Sequence, residues 1–240
     1  MELYPVELSV VVPVYNEYDN LLPLTAKIRD ALNGKISSYE IIYIDDGSTD
    51  GSSELLDKLA AEHQEVKVYH FTKNNGQTAA FAAAFKKAEG RLVATLDADL
   101  QVDPADILKL MPLIDEYDLV CGVRSVRQDS IVKKISSLIG NGVRNWLTHE
   151  EIQDTGCPLK LFKNEVVKSF FLFEGMHRFF PTLAKLHGYR VAQVTVNHYP
   201  RQYGKSKYGI ANRAWKGLKD TLAVRWMQHR WINYKIKGDD

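Results

Sequence analysis

The stretch Arg91–Pro104, RLVATLDADLQVDP, runs an apolar, β-branched segment straight into three carboxylates within seven positions, Asp97, Asp99 and Asp103. Its first half reads as a strand buried on both faces, and its second half as the turn at that strand's carboxyl end. Crowded like charges are costly unless something positive sits among them. The segment therefore predicts a site as well as a strand.

Working outward, apolar runs of the same character recur at Leu8–Val14, Glu40–Ile44, Val66–Phe71 and Leu119–Val123, with helical periodicity between them. Such alternation predicts an α/β fold: a mostly parallel, Rossmann-like sheet with helices on both faces. Ligands of such sheets gather at the carboxyl ends of the strands. Polar clusters stand at four of those ends: PVYNE, DDGSTD, TKNNGQT and DADLQ. Beyond about residue 125 the alternation loosens into helical stretches (131–147 and 179–187), one more strand (190–196) and a basic tail. The expected organisation is a nucleotide-binding half over 1–125, an acceptor-facing half of the same domain over 126–208, and a helical tail over 209–240.

Composition narrows the class. The formal net charge of the 240 residues is +1, which gives no general field for nucleic acid. From Arg201 to Lys237, however, ten Lys/Arg face a single acid, Asp220. Two cysteines, Cys121 and Cys157, form neither a disulfide framework nor a zinc pattern and read as packing residues. The opening residues lack a basic leader pattern, and no run approaches the roughly 18 apolar residues of a membrane span. The expected location is cytoplasmic, soluble or peripheral.

The residue types at the strand ends suggest chemistry. Asp97, Asp99 and Gln101 offer only oxygen donors, a set suited to a hard divalent ion, Mg or Mn; the alternative is that Asp97 and Asp99 merely cap a turn. Asp103, followed by Pro104 and Asp106, reads as a helix N-cap. Asp45 is expected to be structural, leaving Asp46 in the crevice. Tyr15 could stack and Glu17 could accept from a ribose or base, whereas Pro13 and Tyr15 could equally be packing.

The ordered set VVPVYNE, IDDGSTDGS, NNGQTAA, TLDADLQVDP, GMHRFFP and PRQYGKSKYG resembles glycosyltransferase family 2, in particular the polyprenyl-phosphate sugar synthases of the dolichol-phosphate mannose synthase kind. The resemblance runs from about Val10 to Tyr208. It implies a GT-A fold, a nucleotide-diphosphate sugar donor, a divalent metal, and inverting transfer of a hexose to a polyprenyl-phosphate lipid. By position it implies that Pro13, Tyr15, Glu17, Asp46, Asn74 and Gly76 hold the nucleoside side. Asp97, Asp99 and Gln101 would meet the metal and diphosphate, with Arg201, Ser206 and Lys207 closing over the latter. Arg124, Lys133 and Ser137 match positions facing the acceptor phosphate. Asp154 would be a general base for a hydroxyl acceptor but is dispensable as a base for an ionised phosphate. His177 reads as structural rather than catalytic. A family 2 enzyme acting on a glycan or glycolipid hydroxyl, and a non-catalytic nucleotide-sugar-binding subunit, are the competing functions.

In the tail, Ala214/Trp215, Leu218, Leu222 and Trp226 recur at helical spacing, with Arg213, Lys216, Lys219 and Arg230 off that stripe. Two readings stand: a helix packing its apolar face on the domain, or an interfacial helix on an anionic membrane surface. A membrane-protein partner or a homo-oligomer is left open.

Overall fold

The computed structural model describes residues 4–125, 142, 144–148, 151–201 and 210–232, the side chains of 210–215 excepted. Seven strands form one sheet: β1 (Val6–Val14), β2 (Tyr39–Asp45), β3 (Val66–His70), β4 (Gly90–Thr95), β5 (Leu119–Arg124), β6 (Lys160–Lys163) and β7 (Val191–Val196). The helices are α1 (Tyr18–Leu32), α2 (Ser52–Glu62), α3 (Gln77–Lys87), α4 (Ile107–Leu110), α5 (Asn164–Ser169), α6 (Phe180–Leu186) and α7 (Ile210–Arg230). Short 3-10 turns at Pro104–Asp106 and Met176–Phe179 lead into α4 and α6.

The strand order is β3-β2-β1-β4-β6-β5-β7. From β1 the chain first builds outward through β2 and β3, then returns to place β4 on the other side of β1. That reversal opens a crevice beyond the carboxyl ends of β1 and β4. The register fixes it: Val11 of β1 pairs with Thr95 of β4, whereas Val14 pairs with Asp45 of β2. β1 thus runs past the last rung of β4. The Leu96 amide donates to the Val11 carbonyl and the Asp46 amide to the Val14 carbonyl, so odd residues of β1 turn their backbone toward β4. Pro13, which has no N–H, falls on that side after β4 has left the ladder, and its missing donor costs no sheet bond.

Alternation along β1 feeds two cores. Leu8, Val10 and Val12 pack with Leu21, Leu24, Ile28, Leu56 and Ile107 on one face. Val11 joins Ile42, Ile44, Val93 and the ring cluster Phe81, Phe85, Phe162 and Phe180 on the other. Burial on both faces explains the uninterrupted apolar strands.

The sheet is mostly parallel, as the alternation predicts; the exception is β6, not anticipated, which runs antiparallel between β4 and β5. Four residues containing two lysines carry too little alternation to announce a strand. β4 ends at Thr95, so Asp97, Asp99 and Gln101 lie on the turn at its carboxyl end, as the sequence predicts. Of the tail stripe, the residues whose side chains are described face outward. Leu218, Leu222 and Trp226 are 38%, 51% and 65% exposed, while Thr221 and Val224 are buried. The helix expected over 131–147 lies mainly outside the described residues; 144–148 are helical. Cys121 and Cys157 are buried thiols, not joined in a disulfide.

Candidate active site

Each strand end supplies one part of the site. After β4 the chain enters the DADLQ turn, where Leu100 adopts a left-handed backbone (φ 59°) with its side chain buried. A branched residue in that region is strained, and such strain collects at functional turns. Asp99 steadies the turn by accepting the Gln101 amide on Oδ1 at 3.2 Å. Its other oxygen, Oδ2, accepts from Nη2 of Arg201 at 2.7 Å. One oxygen of Asp99 thus serves the turn and the other an ion pair. The first positive partner of the acidic cluster is a guanidinium, whose Nη1 also lies 3.9 Å from Glu17 Oε1.

Arg201 reaches the turn because the segment after β7 runs along it. The Asn197 amide donates to Asp106 Oδ2 at 2.7 Å and the Tyr199 amide to the Gln101 carbonyl at 2.9 Å. His198 is buried between them, and its interaction with Asp99 lowers the pKa of that carboxyl. Burial raises the Asp99 pKa, and Arg201 works against that rise. Asp97 is pushed up to about 7 by burial and then by the charge of Asp99, against the pull of Lys160, Arg124 and Arg201. Two carboxylates this close resist sharing two negative charges until a further cation arrives.

The NNGQT segment joins three elements through consecutive residues. Asp46, at the end of β2, accepts the amides of Asn75 (Oδ1, 2.6 Å) and Gly76 (Oδ2, 2.9 Å). Gln77, first residue of α3, donates from Nε2 to Asp97 Oδ1 at 2.8 Å. Thr78 meets His177 Nδ1 through Oγ1 at 2.7 Å and accepts the Gly175 amide. Gly47 explains how the β2 and β3 loops come so close: a Cβ there would lie 2.7 Å from the Lys73 carbonyl carbon, and its φ is 71°. Burial raises the Asp46 pKa against those two amide bonds. His177, driven down to about 3 by burial and by Arg178 and Lys160, is neutral and held by Thr78.

Asp45 is structural as expected. It accepts from the Ser48 amide and Ser53 Oγ and pairs with His70. Asp103 caps its turn by accepting the Ala105 amide at 3.0 Å. Tyr15 and Pro13 are half-buried beside Glu17 at the end of β1, and Glu17 Oε2 accepts from Asn20 Nδ2 at 2.6 Å. Asn74 is exposed, and Gln101 is engaged through its backbone.

On the other side of β4, β5 ends at Arg124. Its guanidinium grips Asp154 in a two-pronged fork, Nε to Oδ2 at 2.7 Å and Nη2 to Oδ1 at 2.8 Å, with both side chains largely buried. Arg124 and Asp154, taken separately from sequence, form one unit. Lys160 was missed altogether. It begins β6 in register with Thr95 and Cys121, is buried, and donates to the Cys157 carbonyl. A lone lysine between two leucines in an apolar run was the available signal. Gln77 and His198 were missed as well, since neither falls under a spacing rule. Lys133, Lys134, Ser137, Lys205, Ser206 and Lys207 lie outside the described residues.

The donor set suits a divalent cation in part. Asp97 and Asp99 provide hard oxygens, and Arg201 shows that the turn accepts positive charge. Among the described residues no group of three or more His, Cys, Asp or Glu side chains is gathered as a ligand set. An ion here would take further oxygens from a diphosphate and water, as Mg and Mn commonly do.

A dodecaprenyl-phosphate galacturonate synthase of Rhizobium johnstonii is 36% identical over 224 residues, 91% of this chain and 66% of the relative. An undecaprenyl-phosphate 4-deoxy-4-formamido-L-arabinose transferase of Edwardsiella ictaluri is 37% identical over 204 residues, 84% of this chain and 63% of the relative. The chain thus spans about two thirds of the length of these relatives. Among solved structures, a glucosyl-3-phosphoglycerate synthase of Mycobacterium tuberculosis in complex with Mn2+, UDP and glucosyl-3-phosphoglycerate superimposes with a TM-score of 0.71 at 15% identity, covering 95% of this chain and 82% of that one. The α/β architecture is that of the GT-A glycosyltransferases. The family model of glycosyl transferase family 2 matches residues 9–171, and the chain belongs to that family.

Proposed function

We propose that the chain moves a hexose, with inversion at the anomeric carbon, from a UDP- or GDP-sugar to a polyprenyl phosphate at the cytoplasmic face of a membrane. The observation that carries the reading is the meeting of Asp97, Asp99, Glu17 and Arg201 beyond the β1/β4 switch point. The 36–37% identity to relatives named for polyprenyl-phosphate substrates supports the acceptor class.

In this reading Tyr15 and Glu17 face the nucleoside, and Asp46 fixes the 75–76 turn beneath it. Asp97 and Asp99 hold the divalent cation, which when bound neutralises charge developing on the leaving diphosphate. Arg201 serves the same diphosphate. A phosphate acceptor is ionised at neutral pH and brings its own nucleophilic oxygen, so no general base is needed. What it does need is a cation to offset its repulsion from the donor. Arg124, at the same edge of the sheet as Asp97, supplies one whose direction is set by Asp154. Both Asp154 oxygens accept from Arg124, which favours orientation over proton abstraction and so a phosphate over a hydroxyl acceptor.

The lipid must be met at a membrane. Among the described residues no helix is long and apolar enough to cross one. The outward stripe of Leu218, Leu222 and Trp226 on α7, flanked by exposed Lys216, Lys219 and Arg230, suits an anionic surface instead.

The test is incubation of purified protein with a panel of UDP- and GDP-sugars, Mg or Mn, and undecaprenyl phosphate, with mass spectrometry of the lipid-linked product. Product from one donor is expected. Transfer only to a glycan or glycolipid hydroxyl would move the assignment to that acceptor class, and donor binding without turnover would make the chain a binding subunit.

A further inference from the structure

The Asp99–Arg201 pair has a consequence for the order in which charge enters the site. Asp99 has two oxygens, and Oδ1 is committed to the Gln101 amide that closes the strained turn. Oδ2 is the oxygen that this amide does not use, and Arg201 Nη2 is on it at 2.7 Å. The pair is largely removed from water, with Asp99 10% and Arg201 28% exposed at the side chain. The same guanidinium leans on Glu17, the acid at the end of β1. Meanwhile the backbone leading up to it is anchored independently of the ion pair, through Asn197 to Asp106 and Tyr199 to Gln101.

Resting on the metal-dependent reading above, we infer that Arg201 is a resident counterion that a divalent cation must displace from Asp99, and that the displaced guanidinium then binds the donor diphosphate. A divalent cation and a guanidinium on the same carboxylate repel one another, so each weakens the other's hold on it. A diphosphate attracts both, and drawing Arg201 away from Asp99 strengthens the cation's site. By reciprocity the cation must strengthen the diphosphate's binding by the same factor. The exchange keeps the acidic cluster neutralised in the empty protein and makes cation and nucleotide bind together.

The exchange predicts effects of opposite sign from one substitution. Arg201→Gln keeps the side-chain length and some hydrogen bonding but removes the charge. Titrating Mn2+ alone into the full chain, followed by the paramagnetic resonance signal of free Mn2+, should show about tenfold tighter binding in Arg201→Gln than in the wild type. Binding of UDP or GDP in saturating Mn2+, read by calorimetry, should weaken about tenfold in the same protein. Arg201→Lys, which keeps the charge, should leave Mn2+ affinity within about threefold of the wild type. Unchanged or weaker Mn2+ binding in Arg201→Gln overturns the exchange and leaves the proposed function standing. No Mn2+ binding in either protein, with or without nucleotide, overturns both.

Discussion

Gln77 Nε2 donates to Asp97 Oδ1 at 2.8 Å, tying the first residue of α3 to the acid just beyond β4. The residues on either side make equivalent ties, Gly76 to Asp46 and Thr78 to His177. The side of the site assigned to the nucleoside and the side assigned to the metal are joined through two adjacent residues.

Gln77→Leu should therefore weaken Mn2+-dependent nucleotide binding while leaving the fold intact. A hydrogen bond to a charged group is worth about 1.5–3 kcal/mol, so a loss of roughly tenfold or more in affinity is expected by calorimetry with Mn2+ present. Binding without metal should change by less than about threefold. Equal losses in both conditions would show that Gln77 only shapes the α3 N-terminus.

Asp46→Asn tests the other tie. Both carboxylate oxygens accept backbone amides, and an asparagine must present its NH2 to one of them. Donor against donor leaves a partly buried amide unsatisfied, at a cost of about 1–3 kcal/mol. Thermal unfolding should fall accordingly, and metal-free UDP or GDP affinity should drop as the 75–76 turn loosens. A mutant of wild-type stability with unchanged nucleotide affinity would remove Asp46 from the site.

Much of this was legible in the sequence. Strand ends rich in Asp, Asn and Gly announced themselves because strands buried on both faces must be apolar, so the polar residues that follow stand out. The crevice followed from counting such ends. The partners were not legible, because ion pairs such as Asp99–Arg201 and Arg124–Asp154 join residues 102 and 30 positions apart and depend on strand order. β6 escaped for lack of length and alternation. The orientation of Leu218, Leu222 and Trp226 stayed open between two readings for another reason: periodicity identifies a stripe on a helix but does not say which side the domain occupies.

A pH effect is expected at Asp45 and His70, 2.9 Å apart. Burial opposes the charge on both groups, yet their bonds to one another and to Ser48, Ser53 and Asp57 hold Asp45 below and His70 above their ordinary pKa values. Stability from a raised histidine is fully present below its unfolded value, about 6.5, and is lost as pH rises through the folded one. The asparagine variant His70→Asn should therefore lose more thermal stability at pH 5.5 than at pH 8.5. Because His70 is exposed, solvent screening keeps the difference below about 1 kcal/mol. A larger loss at pH 8.5 would contradict the assignment.

Surface substitutions on α7 should separate lipid contact from folding. Leu222 and Trp226 are half or more exposed, so Leu222→Glu with Trp226→Glu should leave the melting temperature within a few degrees of the wild type. Sedimentation with vesicles containing phosphatidylglycerol should fall sharply for the double variant. If the wild type ignores such vesicles but runs as a dimer that the variant breaks, the stripe is a protein interface.

The acceptor is decided at the Arg124–Asp154 fork. Were Asp154 a general base for a hydroxyl, its loss would cost about 100- to 10,000-fold in kcat, the usual worth of such catalysis. As the orienting partner of Arg124 it acts on the position of a cation, so Asp154→Asn should keep at least about a tenth of wild-type kcat and act mainly on the KM for the lipid phosphate. Asparagine can still accept one of the two guanidinium bonds, which limits the damage. Arg124→Ala removes the charge itself and strands a buried carboxylate, so it should be the more harmful change both to turnover and to thermal stability. The pH–rate profile gives a separate check: with a phosphate acceptor the acid limb should persist in Asp154→Asn, since it belongs to ionisation of the substrate, whereas a base mechanism would lose the limb with the residue. A loss of several decades in folded Asp154→Asn, with a mild effect at Arg124, would transfer the reaction to a hydroxyl acceptor.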